Sequence, residues 1–260
     1  MPFTRGGNGM DLKDKAAIVT GGGVGTGRAV VLDLARRGCD VAVNYSRSKT
    51  EAEETAHQAS ELGVRAVCIQ ADVRDDTAVR AMTDEVGATF GRLDVLVNNA
   101  GVTRHIEHAD LESADDEAWS FILDTNVRGT FSCTRAATPR LREDGGGTIV
   151  NVSSIAGVYA IGSSIPYCAS KAAINNMTVS LARALAPDIR VNAVAPGFID
   201  TRWWSEREHY DAIKELAAAA TPLGAVCTPE DVSKVIVDLA TSDLVTGQIL
   251  VIDGGLGIRA

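Results

Sequence analysis

The sequence predicts an α/β fold, a doubly wound parallel sheet of seven strands with helices on both faces. Three observations carry that expectation. Short apolar runs rich in β-branched residues alternate with longer stretches of helical period. Several of the runs are apolar at successive positions, as strands buried on both faces require. The first run passes through a glycine cluster straight into a helical pattern. In chain order, strands are expected at 16–20, 40–45, 65–70, 93–98, 148–153, 189–195 and 248–252. Helices fall between or after them at 28–37, 50–62, 77–90, 115–142, 170–186 and 229–239. The acidic run Glu112, Asp115, Asp116 and Glu117 marks the start of the fourth helix, where carboxylates suit the helix dipole. Ligands of such sheets bind beyond the carboxyl ends of the strands, where the winding reverses.

Composition narrows the function classes. With 260 residues, 45% of them hydrophobic, the chain can bury the core of one domain, expected over 11–260 after a loose tail at 1–10. A net charge of −9 repels polyanions, which speaks against nucleic acid or an acidic membrane surface and for small-molecule partners. Cys39, Cys68, Cys133, Cys168 and Cys227 form no CxxC pair and are odd in number, so neither a disulfide framework nor a zinc site is expected. His105 and His108 form an HxxH without an evident third ligand, so no metal is expected there either. No secretory signal or membrane-length apolar run is visible, and a cytoplasmic setting fits best.

The first run ends in Thr20-Gly21-Gly22-Gly23-Val24-Gly25-Thr26-Gly27. Glycines stand where a backbone must turn tightly and approach a ligand, and a helix N-terminus offers N–H groups and partial positive charge to a pyrophosphate. The spacing is TGxxxGxG rather than the commoner GxGxxG. Other motifs stand after later strands. They are Asn98-Asn99-Ala100-Gly101, Ser154 thirteen residues before Tyr167, the YxxxK of Tyr167 and Lys171, and Pro196-Gly197-Phe198-Ile199-Asp200-Thr201. In this order, over nearly the whole chain, they resemble the short-chain dehydrogenase/reductase family, in particular its 3-oxoacyl-carrier-protein reductases and related small-molecule ketoreductases.

That resemblance implies a Rossmann-like domain and an NAD(P)(H)-dependent oxidoreductase that moves hydride between nicotinamide and a ketone or secondary alcohol. It implies that Gly21, Gly25, Thr26, Gly27, Asn99, Pro196, Gly197, Ile199 and Thr201 border the cofactor, with Asp72 and Val73 at the adenine. In the family, an acid at the end of the second strand selects NAD by bonding the ribose 2′-OH. Here Asn44-Tyr45-Ser46-Arg47-Ser48 carries no carboxylate, and Ser46 with Arg47 could hold a 2′-phosphate, so NADP(H) is favoured and NAD(H) is the alternative. Val24 counts against NADP(H), because many relatives that use it carry a basic residue there.

Tyr167 and Lys171, at i and i+4, rise on one helix face. A cation ~4 Å from a phenolate at an effective dielectric of ~20 stabilises it by about 4 kcal/mol, roughly three pKa units, which brings a tyrosine toward working pH. The resemblance makes Tyr167 the proton donor and Ser154 the group that polarises the substrate oxygen. It has Lys171 also bind the nicotinamide ribose, and gives Asn126 a helix irregularity and a proton-relay water. Ser153 is expected to be a strand-end residue, and Cys168 a helix filler.

Specificity is expected from Val102 and Thr103, from 155–165, and from a lid around 200–220 with Trp203 and Trp204. Carrier-protein reductases present arginines before the fifth and sixth strands, where this chain has Glu143-Asp144-Gly145-Gly146 and Pro187-Asp188. A free small molecule is therefore favoured over an acyl carrier protein, with Arg140 and Arg142 keeping the second reading open. An inactive, regulatory cofactor-binding protein is a further alternative, which the intact Asn126, Ser154, Tyr167 and Lys171 oppose. The helices at 115–142 and 170–186 carry more apolar residues than one buried stripe needs, so a homotetramer, or at least a dimer, is expected.

Overall fold

β1 (Ala16–Val19), β2 (Asp40–Tyr45), β3 (Ala66–Gln70), β4 (Val95–Asn98), β5 (Gly147–Val152), β6 (Ile189–Pro196) and β7 (Ile249–Ile252) form one sheet in the order β3-β2-β1-β4-β5-β6-β7. Every pairing is parallel. The winding reverses between β1 and β4. The structure is a computed structural model that describes residues 9–201 and 210–258. Trp203 and Trp204 lie outside the described residues, as do 1–8 and 259–260. Of the expected tail, Gly9 and Met10 rest on the body, the Met10 amide donating to Thr241 O at 3.1 Å.

The core follows from the two-residue period of a strand. Along β1, Ala17 and Val19 join one apolar cluster with Val41, Val43, Val95 and Val97, while Ala16 and Ile18 join the other with Leu96 and Ile149. The first cluster is covered by α1 (Gly25–Arg36), α2 (Lys49–Glu61) and, beyond two later helices, by residues 229–241. The second is covered by α3 (Asp76–Phe90), α5 (Thr130–Glu143) and α7 (Ile165–Leu185). The strands thus lie buried on both faces, as their unbroken apolar runs require.

The expected helix at 115–142 is three pieces: α4 (Asp116–Leu123), a π-helical turn (Asp124–Gly129) and α5. Asp115 caps α4 by accepting from the Ala118 amide at 2.8 Å, so the acidic run does open a helix. The expected helix at 170–186 begins five residues earlier, because Ser164 caps it by accepting from the Tyr167 amide and Pro166 fits its first turn. Helix α1 likewise begins at Gly25 instead of 28. Its glycines are poor helix formers, yet they form its first turn. Three short elements complete the chain order: α6 (Ala156–Tyr159), α8 (Tyr210–Ala220) and α9 (Pro229–Thr241), the last opened by a capping box of Thr228 and Asp231. A 3₁₀ turn, Leu256–Ile258, follows β7. No helix among the described residues is long and apolar enough to cross a membrane.

A buried polar chain runs across the middle of the sheet. Asn98 Nδ2 on β4 donates to Thr134 Oγ1 of α5 at 3.1 Å and to Asn151 Oδ1 of β5 at 2.9 Å, and Asn151 Nδ2 donates to Thr178 Oγ1 of α7 at 2.9 Å. Asn98 and Asn151 are direct register partners.

Candidate active site

The site gathers at the carboxyl ends of β1, β4, β5 and β6. At β1, Gly21 and Gly25 take φ of +62° and +51°, a region that glycine enters freely. A Cβ on Gly27 would lie 2.2 Å from Gly21 O, so only glycine lets the first turn of α1 close onto the strand end. No side chain caps α1, which leaves the amides of that turn open toward the switch point. Asn99 Nδ2 holds the turn by donating to Thr20 O and Gly21 O at 2.9 and 3.1 Å. Thr20 Oγ1 accepts from the Asn99 and Ala100 amides. Buried Asn44 completes the frame: its Oδ1 accepts from the Gly21 amide at 3.3 Å and its Nδ2 donates to Ala71 O at 3.0 Å. A glycine-lined concavity at an uncapped helix start fits the pyrophosphate of a dinucleotide. Thr26 is buried within the same turn.

Beside it, Ser46 and Arg47 are exposed at the end of β2. Asp72, itself half-buried and followed by the buried Val73, is gripped in two-pronged fashion by Arg74, with Nε and Nη2 at 3.0 and 2.6 Å. The Arg74 hydrogen bond holds the Asp72 carboxyl below its usual range, and the charge of Arg47 contributes to the same effect. Sequence reasoning passed over Arg74, Thr20 and Asn44. The signal for Arg74 was a guanidinium two residues after an assigned carboxylate.

On α7, Tyr167 and Lys171 share a face next to the end of β5. Ser154 accepts from the Ala156 amide at 3.1 Å, lies 3.5 Å from Pro196 O, and stands close enough to the Tyr167 hydroxyl to favour its ionised form. Ser153 Oγ instead donates to Lys171 O at 3.2 Å, the structural use expected of it. Lys171 is only 5% exposed; its ammonium donates to Val152 O at 2.9 Å and lies 5.6 Å from the centre of the Tyr167 ring. Burial lowers the lysine to about 8 and raises the Tyr167 hydroxyl to about 12, with the Ser154 hydrogen bond pulling the tyrosine part of the way back. The expected depression of the tyrosine by its lysine is therefore not what this fold displays. Desolvation of the tyrosine is the leading cause, and the charge of Lys171 is not among the causes; its ammonium is turned toward the Val152 carbonyl and is itself buried.

Asn126 sits on the π-helical turn and is fully buried. Its Oδ1 accepts from the Val102 amide at 2.8 Å, while its Nδ2 donates to Val102 O and to Ser170 Oγ, both at 3.0 Å. Ser170 Oγ in turn donates to Tyr167 O at 2.7 Å. The extra residue of a π-turn explains how a buried amide can face sideways out of a helix. A Cβ on Gly101 would lie 3.5 Å from Asn126 Oδ1 and 3.7 Å from Lys171 Nζ, so these two polar groups flank one small opening. The structure thus brings together all four expected catalytic residues.

After β6, the Pro196 carbonyl accepts from the Ile155 amide, the Gly197 amide donates to Ile252 O, and Ile199 forms a bridge with Cys227. The methyl of Thr201 packs 3.5 Å from where a Gly25 Cβ would stand, so the ends of β1 and β6 meet. Thr103 Oγ1 lies 2.5 Å from Ser163 Oγ, and His108 Nε2 lies 3.1 Å from Gly162 O, which folds the loop after β4 over the start of α7. No group of three His, Cys, Asp or Glu side chains that could hold a metal occurs among the described residues. Cys168 is buried and its thiol raised by desolvation.

Comparison with known proteins agrees with this architecture. Residues 22–257 match the family model described as enoyl-(acyl carrier protein) reductase. A protein of Streptomyces violaceoruber described as ketoacyl reductase 2 of the granaticin polyketide synthase is 44% identical over 239 residues, covering 92% of this chain and 94% of that one. A 3-oxoacyl-[acyl-carrier-protein] reductase of Staphylococcus aureus is 39% identical over 245 residues, covering 93% and 98%. Among solved structures, a short-chain dehydrogenase/reductase of Burkholderia xenovorans superposes with a TM-score of 0.89 at 34% identity, over 94% of this chain and 98% of that one. Sheet order, strand-end motifs and these likenesses agree: the chain belongs to the short-chain dehydrogenase/reductase family and is an oxidoreductase that works with a nicotinamide cofactor.

Proposed function

We propose that the protein is an NADP(H)-dependent ketoreductase acting on a small-molecule ketone or, in reverse, a secondary alcohol. The observation that carries this reading is the pair of Ser154 and Tyr167 hydroxyls beside buried Lys171. The nicotinamide, when bound, supplies or takes up the hydride. Gly21, Gly25, Thr26 and Gly27 would hold the pyrophosphate, Asp72 and Val73 the adenosine end, and Ser46 and Arg47 a 2′-phosphate. Asn99, Pro196, Gly197, Ile199 and Thr201 would border the remainder. Tyr167 keeps its proton at neutral pH and gives it to the substrate oxygen, which Ser154 orients by a second hydrogen bond. Lys171 places positive charge beside the phenolate that forms, which eases release of the proton. Asn126, through Ser170, fixes the turn of α7 that carries Tyr167.

The relatives are named for ketoacyl and carrier-bound oxoacyl reduction, which favours a carrier-bound acyl substrate as the second reading. Against it, the two nearby arginines are neutralised, Arg142 by Asp188 at 3.3 Å and Arg140 by Glu143 at 3.3 Å. Both lie toward the amino ends of β5 and β6, opposite the site, so they could steer a carrier only toward the site of a neighbouring copy. A neighbouring copy is itself part of the proposal. Ala172 and Ala184 of α7 are exposed and Ala173 and Met177 only half-buried, beside an open hollow of about 410 Å³ lined by Gly157, Val158, Ile165 and Ala169. Such a face suits burial in a homotetramer or dimer. A cytoplasmic setting, a single domain over 11–260 and a lid around 200–220 complete the reading.

The test is NADPH oxidation over a panel of ketones, quinones and a short acyl thioester, repeated with Tyr167→Phe. Turnover is expected with ketones and lost in the variant, with cofactor affinity within about threefold. A variant keeping more than about a tenth of wild-type kcat would refute the assignment of Tyr167, since such catalysis is worth ~10²–10⁴-fold.

A further inference from the structure

Ser154 leads directly into the single turn of α6. Its Oγ accepts from the Ala156 amide at 3.1 Å and its carbonyl from the Gly157 amide at 3.0 Å, while the Ile155 carbonyl accepts from the Val158 and Tyr159 amides at 2.9 and 2.7 Å. The Ser154 hydroxyl is thus tied to this turn. A helix of four residues has no stability of its own, so its place depends on what it rests on.

It rests on α7, and two contacts seat it there. A Cβ on Gly157 would lie 2.4 Å from Lys171 C and 2.6 Å from Ala172 N, so glycine alone lets the backbone of α6 reach the backbone of α7 beside the lysine. One turn further along α7, Asn175 Nδ2 donates to Gly157 O at 3.0 Å. Tyr167, Lys171 and Asn175 follow one another at i and i+4, along one stripe of the helix. The Asn175 amide is used at one end only: its buried Oδ1 has no hydrogen-bond partner among the described residues. A buried acceptor left in that way works against stability. Leucine would fill the same space without it, so the asparagine is explained by the bond its Nδ2 makes.

We propose that Asn175 is a positioning residue. By holding Gly157 O against α7 it sets how near the Ser154 hydroxyl stands to that of Tyr167, and so governs kcat without touching substrate, cofactor or the transferred proton. The proposal rests on the ketoreductase reading for what Ser154 does. In that reading the two hydroxyls meet one substrate oxygen, and since Ser154 is tied to α6 while Tyr167 belongs to α7, the seating of one helix on the other decides their spacing. A misplacement of ~1 Å can cost ~10²-fold in rate. Losing one of the two contacts should cost about tenfold.

The test is Asn175→Leu in the full chain. Its kcat for a ketone should fall about tenfold, with the Kd for NADPH from fluorescence titration within about twofold. Its melting temperature should stay within about 3 °C of wild type, because the loss of a donor to Gly157 O is offset by removal of the unpartnered Oδ1. In hydrogen–deuterium exchange without substrate or cofactor, the amides of 157–159 should exchange about tenfold faster, while those of 176–185 stay unchanged. Gly157→Ala disturbs the other contact and should give the same signature, with the double variant far short of the product of the two effects; where Gly157→Ala does not fold, Asn175→Leu decides alone. A wild-type kcat in Asn175→Leu, unchanged exchange at 157–159, or a loss of kcat that comes with a large fall in melting temperature and faster exchange throughout α7 would each overturn the proposal. Exchange is read without turnover, so it judges the seating of α6 even where Tyr167→Phe has refuted the ketoreductase reading.

Discussion

Lys171→Met is expected to make the protein more stable at pH 7 while destroying its activity. The wild-type lysine is 5% exposed, and burial lowers it from 10.5 to about 8. At pH 7 the folded state must carry the proton inside, at a cost of about 3 kcal/mol relative to the unfolded chain. The unfolded state binds more protons than the folded one between pH 8 and 10.5, so stability rises with pH across that window, and at pH 9.5 the cost has fallen to about 1.4 kcal/mol. Methionine keeps the apolar stem but strips the Val152 carbonyl of its donor, which costs about 1 kcal/mol. The net gain is then about 2 kcal/mol at pH 7 and close to zero at pH 9.5. Urea unfolding of both proteins at the two pH values, at one fixed protein concentration, reads the difference directly. A variant less stable than wild type at pH 7, or a gain of equal size at both pH values, would refute the reasoning.

Cofactor choice and assembly can be tested on the same protein. NADPH should be preferred over NADH, and Arg47→Ala should lower kcat/KM for NADPH about tenfold while sparing NADH, as expected for loss of a charge-assisted phosphate contact; a preference for NADH that ignores Arg47→Ala would show that the loop faces away from the ribose. Light scattering at micromolar concentration should give two or four times the 27.3 kDa chain mass, and an active monomer would refute the assembly reading alone.

The strands and the strand-end motifs were legible because buried parallel strands leave unbroken apolar runs and because ligand-facing residues cluster where those runs stop. All seven strands fall within two residues of their expected bounds. Helix starts were less legible. Gly25 and Gly27 look like a loop but form the first turn of α1, since the strand-to-helix turn excludes any larger residue. The π-helical turn at Asn126 leaves no trace in a 3.6-residue pattern. Nor could spacing show that Lys171 is buried and bonded to Val152, or that burial raises the Tyr167 hydroxyl. Asp200 meets Tyr210 and Lys214, 10 and 14 positions away, a separation that no helical or strand period relates.

The buried amides of Asn98 and Asn151 act as a key for vertical alignment. A strand that slips by one residue turns every side chain to the opposite face. A slip of β4 against β5 would therefore push an asparagine among the valines of the other layer and part it from Thr134 or Thr178. The observed pairing gives partners to the Nδ2 groups of both asparagines. Ser154 stands three residues beyond Asn151, and Asn99 and Gly101 follow directly on Asn98, so that same pairing decides how high each group rises above the sheet. The level at which Ser154 meets Tyr167, and Gly101 opens between Asn126 and Lys171, is set by two amides deep in the protein that touch none of the reacting atoms.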